Sequence, residues 1–133
     1  MNTDVKSRVV DVNPDNYQET VSADGIVLVD CWAASCGACR QFGPVYAKVA
    51  ARHSQHKFTK LDTISESDLA ASLGVVHVPT MMLYRDGILL FKQAGNFDEE
   101  RLEDIVSQAE ALDMEAVRAD IEASKAAAGG TGG

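Results

Sequence analysis

The sequence predicts a single α/β domain in which a mixed β-sheet carries helices on both faces. Three observations predict this fold class. Short β-prone runs alternate along the chain with amphipathic segments of helical period. The run Ile26–Trp32 is continuously β-prone apart from one aspartate, which is typical of a strand buried on both faces. A length of 133 residues, 46% of them hydrophobic, is enough for one domain with its own core.

Five strands and four helices are predicted, in the order β-α-β-α-β-α-β-β-α. The predicted strands are Arg8–Val12, Ile26–Trp32, Phe58–Leu61, Met81–Tyr84 and Ile88–Lys92. The predicted helices cover roughly residues 14–24, 37–53, 65–73 and 98–109. Asn13 and Ser65 are predicted to cap the helices that follow them, because their side chains can accept backbone N–H groups. Asp86-Gly87 predicts the hairpin turn between the last two strands.

The C-terminal part of the chain is predicted to continue beyond the domain. We assign residues 1–111 to the α/β domain and residues 112–128 to a helical extension, in which Met114, Val117 and Ile121 share one face. Residues 129–133, Gly-Gly-Thr-Gly-Gly, are predicted as a flexible end.

Charge and hydropathy argue against several classes of partner. The formal net charge is −8 and the isoelectric point is about 4.7, which argues against nucleic acid and anionic membrane surfaces. No apolar run reaches the roughly 18 residues that cross a bilayer, and the N-terminus has no apolar stretch of signal-peptide length. We therefore expect a cytoplasmic protein whose thiols are kept reduced. A monomer is also expected. Its three cysteines are then expected to be catalytic, metal-binding or core residues.

A Cys-x-x-Cys motif, Cys36-Gly37-Ala38-Cys39, stands where the strand Ile26–Trp32 is followed by a helix. The free N–H groups and the dipole at a helix start favour the thiolate form of Cys36, which is the nucleophilic form. Cys39 lies one turn deeper on the same face, within reach to form or resolve a disulfide with Cys36. Gly37 is expected to allow a tight turn and to expose the sulfur of Cys36.

A zinc site is an alternative, because Cys36, Cys39, His53 and His56 have nearly the spacing of a zinc finger. The two cysteines, however, open a helix of about 17 residues, and His53 at its other end would lie roughly 20 Å from Cys39. We therefore assign no metal ligands. Three cysteines in one chain are also too few for an iron–sulfur cluster.

Asp30 places a carboxyl group near the end of a strand that is otherwise β-prone and largely apolar. Burial is expected to raise the pKa of this carboxyl, so that it can accept and return a proton for the deeper thiol of Cys39. A simpler role, in which Asp30 caps the loop after the strand, stays open.

The chain resembles the thioredoxin family over about residues 9–109. The matching residues, in order, are Asp30, Trp32, Ala33, Cys36, Gly37, Cys39, Lys60, Val78, Pro79, Thr80 and Gly95. The most specific part of the pattern is a Trp-Ala-x-x-Cys-Gly-x-Cys run that is followed, about 40 residues later, by Val-Pro-Thr.

The resemblance implies a role for each catalytic residue. Cys36 would be the attacking thiolate and Cys39 the resolving thiol. Asp30 would be the buried carboxylate beneath Cys39, with Lys60 on the neighbouring strand as its electrostatic partner. Trp32 would pack beside the site.

The resemblance also implies a substrate groove. Pro79 would be a cis proline that faces the cysteine pair, Val78 would offer its backbone to a substrate strand, and Gly95 would complete the groove. The residues assigned to the groove are Trp32, Ser35, Gly37, Ala38, Val78, Pro79 and Gly95.

Three residues depart from the family pattern. Ala38 replaces the usual proline and adds an N–H at the helix start, which predicts a somewhat more oxidising couple. Ser35 replaces a second tryptophan and is expected to cap the helix. His77 is either a surface residue or a positive charge that favours the thiolate. Cys31, by strand alternation, points to the other face of the sheet and is interpreted as a packing residue.

The sequence therefore predicts a thiol–disulfide oxidoreductase that reduces protein disulfides through a reversible Cys36–Cys39 disulfide. Its expected partners are disulfide-containing proteins and a thioredoxin reductase as electron donor. No Gly-x-Gly-x-x-Gly fingerprint follows a strand, so no dissociable cofactor is expected. Two alternatives remain, namely a binding module on the same fold and a more oxidising thiol oxidase or isomerase.

Overall fold

The computed structural model describes the backbone of residues 9–132 and the side chains of residues 9–127. Arg8, predicted as the first residue of the first strand, lies outside the described residues. The strands are β1 (Val9–Asp11), β2 (Ile26–Trp32), β3 (Lys57–Asp62), β4 (Thr80–Arg85) and β5 (Ile88–Ala94). The helices are α1 (Tyr17–Val21), α2 (Gly37–Arg52), α3 (Ser67–Ser72), α4 (Glu99–Ala111) and α5 (Met114–Gly132). The predicted order of elements is therefore present, and α5 follows it as the predicted extension.

The five strands form one mixed sheet in the order β1-β3-β2-β4-β5. β1, β3 and β2 run parallel, whereas β4 is antiparallel to β2 and β5 is antiparallel to β4. β2 is thus the central strand, and it is buried from Ile26 to Cys31, as expected for a strand covered on both faces.

Apolar side chains form one core cluster on each face of the sheet. On one face α2 and α4 contribute Phe42, Tyr46 and Leu102. On the other face α1 and α3 contribute Tyr17 and Ala70. The predicted α/β fold class, with helices on both faces of a mixed sheet, is confirmed.

Tyr46 anchors α2 on the sheet. Its hydroxyl donates to the Thr59 carbonyl oxygen at 2.6 Å and accepts the Thr59 N–H at 3.2 Å, both within the core. Its ring packs against Phe42 and Phe58 at centroid distances of 5.6 and 5.3 Å. These contacts hold α2 against β3, and they therefore also fix where the first turn of α2 lies.

The extension α5 packs on the domain through its first turns. Met114 is buried, and Val117 and Ile121 are half-buried, so the predicted apolar face is partly covered. Arg118 pairs with Asp86 of the β4–β5 turn at 3.2 Å. Among the described residues, no helix is both long enough and apolar enough to cross a membrane.

The glycine-rich end of the chain is included in α5. The structure continues α5 through Gly132, whereas the sequence predicts a flexible end from Gly129. The run Ala126–Ala128 has the highest helix propensity, and an existing helix gains one hydrogen bond with each residue that it adds.

The start of α1 also differs from the prediction. Asn13 does not cap a helix, because its Oδ1 accepts the N–H groups of Asp15 and Asn16 in a preceding turn. α1 begins only at Tyr17, with Asn16 in the N-cap position. Asn13 therefore stabilises the turn that leads into the helix.

The turn before α3 is organised by a carboxylate, and no side chain caps the helix itself. Ser65 does not cap this helix, which begins at Ser67 after Glu66. Asp62 accepts the N–H groups of Ile64 and Ser65 at 2.9 and 3.1 Å, and the Ser65 hydroxyl donates to Asp62 at 3.1 Å. An ionised carboxylate is the stronger acceptor, so it organises the turn.

Removing the Tyr46 hydroxyl tests the anchor of α2. Tyr46→Phe leaves the buried Thr59 N–H and carbonyl without this partner, so the free energy of unfolding is expected to fall by about 1–3 kcal/mol. Urea unfolding measures the change, and an unaltered m-value shows that a state of the same compactness unfolds. A loss below about 0.5 kcal/mol, the usual range of a surface substitution, would contradict the anchor.

Candidate active site

The Cys-x-x-Cys motif lies at the start of α2, just after the carboxyl end of β2. Cys36 is the N-cap residue of α2, and its Sγ accepts the N–H of Cys39 at 3.1 Å. The Cys36 thiol also donates to the Val78 carbonyl oxygen, 3.6 Å from Sγ. Cys36 is only half-buried, so its sulfur is accessible at a helix start that favours negative charge.

Three details of this helix start differ from the predictions. Ser35 is exposed and does not cap α2, since Cys36 occupies the N-cap position. Gly37 has no positive φ, and a Cβ there would meet only the Arg40 guanidinium at 3.9 Å, so the turn does not require glycine. The backbone donor to Cys36 Sγ belongs to Cys39 and not to Ala38.

Cys39 is the buried member of the pair. Only 7% of this residue is exposed, and both cysteines are free thiols. Burial, reinforced by the hydrogen bond with Cys36, raises the pKa of the Cys39 thiol to about 11. One thiol is therefore open to an incoming partner, whereas the other must lose its proton inside the protein.

Asp30 is buried within the central strand. Only 5% of the residue is exposed, and its Oδ1 has no hydrogen-bond partner among the described residues. Burial raises the pKa of this carboxyl to about 7, although the positive charge of Lys60 opposes the shift. The unpaired oxygen disfavours a role as loop cap, and a pKa near neutrality suits proton exchange.

Lys60 lies opposite Asp30 in the β2–β3 register. Its Nζ is 4.0 Å from Asp11 Oδ1 and 5.5 Å from the centroid of the half-buried Trp32 ring. Lys60 therefore acts on the Asp30 carboxyl through its charge, while its ion pair is with Asp11, a residue that the sequence analysis did not select.

A cavity of about 210 Å³ connects the acid and the buried thiol. Its lining includes Asp30, Cys39, Lys60, Trp32 and Arg40. A cavity of this size that is lined in part by the charged side chains of Asp30, Arg40 and Lys60 has room for water. A proton can therefore pass between Cys39 and Asp30 within a shared space, directly or through water.

The segment around Pro79 lies on the other side of Cys36. The Val78–Pro79 peptide bond is cis, as the resemblance implies. Gly95 donates its N–H to the Pro79 carbonyl oxygen at 2.8 Å, with a φ of +131° that favours glycine. The contact of the Val78 carbonyl oxygen with Cys36 Sγ completes this arrangement. The fold thus brings three residues that are distant in sequence to one side of the Cys-x-x-Cys motif, namely Val78, Pro79 and Gly95.

Sequence reasoning missed two exposed apolar side chains near the motif. Ile64 and Val76 are 69% and 82% exposed. They line a groove of about 350 Å³ together with Ser35 and Val78. Their signal in the sequence is weak, since Ile64 is a lone apolar residue, Val76 belongs to a two-residue Val-Val run, and both lie outside every predicted strand and helix.

Cys31 and His53 lie apart from the cysteine pair. Cys31 is fully buried in the core cluster on the α1–α3 face, and burial raises the pKa of its thiol to about 12, which agrees with a packing role. His77 is exposed. His53 is the C-cap of α2, so the whole helix separates it from Cys36 and a zinc site that combines the two is excluded.

The comparisons with known proteins agree with this geometry. The model of the thioredoxin family matches residues 8–108. The chain is 39% identical over 120 residues to the "Putative thioredoxin 2" of Streptomyces coelicolor, covering 90% of each chain. It is 33% identical over 100 residues to the thioredoxin of Pseudomonas aeruginosa, covering 74% of this chain and 93% of that one.

Comparison with solved structures also identifies thioredoxins as similar proteins. A mutant thioredoxin from Halobacterium salinarum superposes with a TM-score of 0.72 at 28% identity, covering 79% of this chain and 93% of that chain. The fold is the thioredoxin fold, and the close cysteine pair supports thiol–disulfide oxidoreductase chemistry. The chain therefore belongs to the thioredoxin family.

Proposed function

We propose that this protein reduces disulfide bonds in other proteins, with the Cys36–Cys39 pair as its redox-active group. The observation that carries the proposal is the unequal exposure of the two thiols. Cys36 is half-buried at the N-cap of α2, whereas Cys39 is buried and shares a cavity with the Asp30 carboxyl. One thiol can then attack from outside, and the second is reserved for an internal step.

In the first step the Cys36 thiolate attacks one sulfur of a substrate disulfide. A bond forms between Cys36 Sγ and that sulfur, the substrate S–S bond breaks, and the other substrate sulfur leaves as a thiolate. The Cys39 N–H, 3.1 Å from Sγ, and the start of α2 favour negative charge on Cys36 before the attack.

In the second step Cys39 loses its proton and attacks Cys36 Sγ. The mixed disulfide breaks, the second substrate thiolate leaves, and the new Cys36–Cys39 disulfide holds the two-electron oxidation. Asp30 accepts the proton of Cys39, because both line one cavity and a pKa of about 7 allows Asp30 to be ionised at neutral pH.

The substrate binds along the edge formed by Val78, Pro79 and Gly95. An extended substrate segment pairs with the backbone of Val78, which supplies affinity without sequence preference. Apolar substrate side chains beside the disulfide contact Ile64 and Val76, whose exposure is otherwise unfavourable.

The oxidised pair must be reduced again by a second protein. A thioredoxin reductase supplies the two electrons, and no dissociable cofactor is assigned to this chain. Such a supply places the protein in a reducing compartment such as the cytoplasm. Both cysteines and the groove belong to one chain, so a monomer suffices.

Cysteine variants test the reductase activity. Dithiothreitol-driven reduction of insulin is expected to fall to background in Cys36→Ser, because the attacking sulfur is absent. Cys31→Ala is the matched control and is expected to keep the activity, since that cysteine packs in the core. If the parent protein reduced insulin no faster than dithiothreitol alone, reductase activity would be ruled out.

The same variants distinguish a reductase from a binding module. Cys39→Ser keeps the first step but lacks the second, so it is expected to accumulate covalent adducts with disulfide-containing proteins through Cys36. Mass spectrometry under non-reducing conditions measures these adducts. A scaffold whose partner merely occupies the groove would form none.

Asp30→Asn tests the buried acid through stability. The folded state holds the Asp30 proton up to about pH 7, whereas an ordinary aspartate releases it near pH 3.8. Raising the pH through this window lowers the free energy of unfolding, because the folded state binds more protons than the unfolded state. At pH 8 Asp30→Asn is therefore expected to exceed the parent in stability by up to roughly 4 kcal/mol, with the difference vanishing near pH 4.

The activity of Asp30→Asn completes this test. Insulin reduction near pH 7 is expected to slow severalfold, because Cys39 has lost its proton acceptor. Asp11→Asn is the matched control, since that carboxylate contacts Lys60 but its side chain is 78% exposed. Stability curves of Asp30→Asn and the parent that run parallel from pH 4 to pH 8 would contradict the raised pKa.

A further inference from the structure

A cluster of histidines and glutamates lies at the opposite end of α2 from the cysteines. His53 is the C-cap of α2, and His56 follows it in the turn that leads to β3. Glu103 and Glu110 are seven residues apart on α4, which places them two turns apart on one helix face. The cluster therefore connects the C-terminal end of α2 to one face of α4.

The distances within the cluster are short. His56 Nε2 lies 2.7 Å from Glu110 Oε2, and His53 Nε2 lies 2.7 Å from Glu103 Oε1. One potential ligand atom from each of His53, His56 and Glu110 lies within 4.8 Å of the others. Ligand atoms around tetrahedral zinc, at bonds of about 2.0–2.1 Å, are separated by roughly 3.3 Å. Small side-chain rotations would therefore bring the three atoms around one ion.

The two imidazole rings are already ordered by their surroundings. Their centroids are 5.7 Å apart with an interplanar angle of 14°, and the Phe58 ring stacks on His53 at 6.4 Å. The His53 and His56 side chains are only 17% and 10% exposed. The His56 N–H also donates to the His53 carbonyl oxygen at 3.0 Å, which fixes the turn between them. Little conformational entropy remains to be lost when an ion binds.

We propose that His53, His56 and Glu110 bind a divalent transition-metal ion, for which Zn²⁺ has the best-matched chemistry. Two imidazole nitrogens and one carboxylate oxygen form a known zinc ligand set that leaves a fourth position for water. Glu103 contacts His53 and orients its ring, as carboxylates commonly do beside metal-bound histidines.

This site is separate from the redox centre. α2 has 16 residues, so its two ends are roughly 24 Å apart and the ion does not touch the cysteine pair. The bound metal would fasten the end of α2 to α4. Because a free dithiol also binds zinc, the test requires a protein in which Cys36 and Cys39 are both changed to serine.

Calorimetric titration of ZnCl₂ into the full chain carrying Cys36→Ser and Cys39→Ser tests the proposal. The expected result is one ion per chain and a melting temperature that rises with zinc concentration. His56→Gln and Glu110→Gln in the same background are expected to bind at least tenfold more weakly. His77→Gln is the matched control, because this exposed histidine lies outside the cluster and its loss is expected to leave zinc affinity unchanged.

The competing arrangement is two His–Glu hydrogen-bonded pairs that bind no metal. Absence of zinc binding to the chain that carries Cys36→Ser and Cys39→Ser would establish that arrangement and overturn the proposal. If Glu110→Gln left the zinc affinity of the Cys36→Ser, Cys39→Ser chain unchanged, the proposal would be overturned as well. Glu110→Gln is expected to fold, because the Glu110 side chain is 39% exposed. Circular dichroism of each variant without zinc checks the fold independently.

Discussion

The burial of one carboxyl group, that of Asp30, is the constraint on which the rest of the active site depends. β2 is the central strand, so the sheet and the helices remove water from Asp30 and leave its Oδ1 unpaired. An ionised carboxylate is unfavourable in such a place, and the pKa near 7 is the direct consequence. Lys60 moderates this effect through its charge. The cavity places the Asp30 carboxyl beside Cys39, and in the proposed mechanism this carboxyl accepts the thiol proton at neutral pH.

Helix α2 positions the two cysteines relative to the sheet. The contacts of Tyr46 hold the helix on β3, and the first turn then projects Cys36 outward and Cys39 inward. The difference in exposure between the two thiols thus follows from one cap position and one helical turn. His53 lies at the other end of the same helix, so α2 contributes to both the cysteine pair and the proposed metal site, which are not in contact.

Much of the fold and the central part of the site could be predicted from the sequence. Hydrophobic periodicity predicted the strands and helices. The Cys-x-x-Cys spacing identified Cys36 and Cys39, because thiol–disulfide exchange depends on two cysteines that are close in sequence. Contacts between distant segments could not be read in this way. The ion pair of Lys60 with Asp11 and the His–Glu cluster require β1 or α4 to be placed first. The Ser65 cap failed for a different reason, since the Ser65 hydroxyl donates to the Asp62 carboxylate in the turn before α3 and the helix begins two residues later than predicted.

Titration of the Asp30 carboxyl by carbon-13 NMR tests the central claim most directly. The reduced protein would carry labelled aspartate, with the resonance assigned through its loss in Asp30→Asn. The account predicts a midpoint near pH 7, set by burial and opposed by Lys60. A midpoint near pH 3.8, the ordinary aspartate value, would show that burial does not raise the pKa of this carboxyl and would contradict the role of Asp30 as proton acceptor for Cys39.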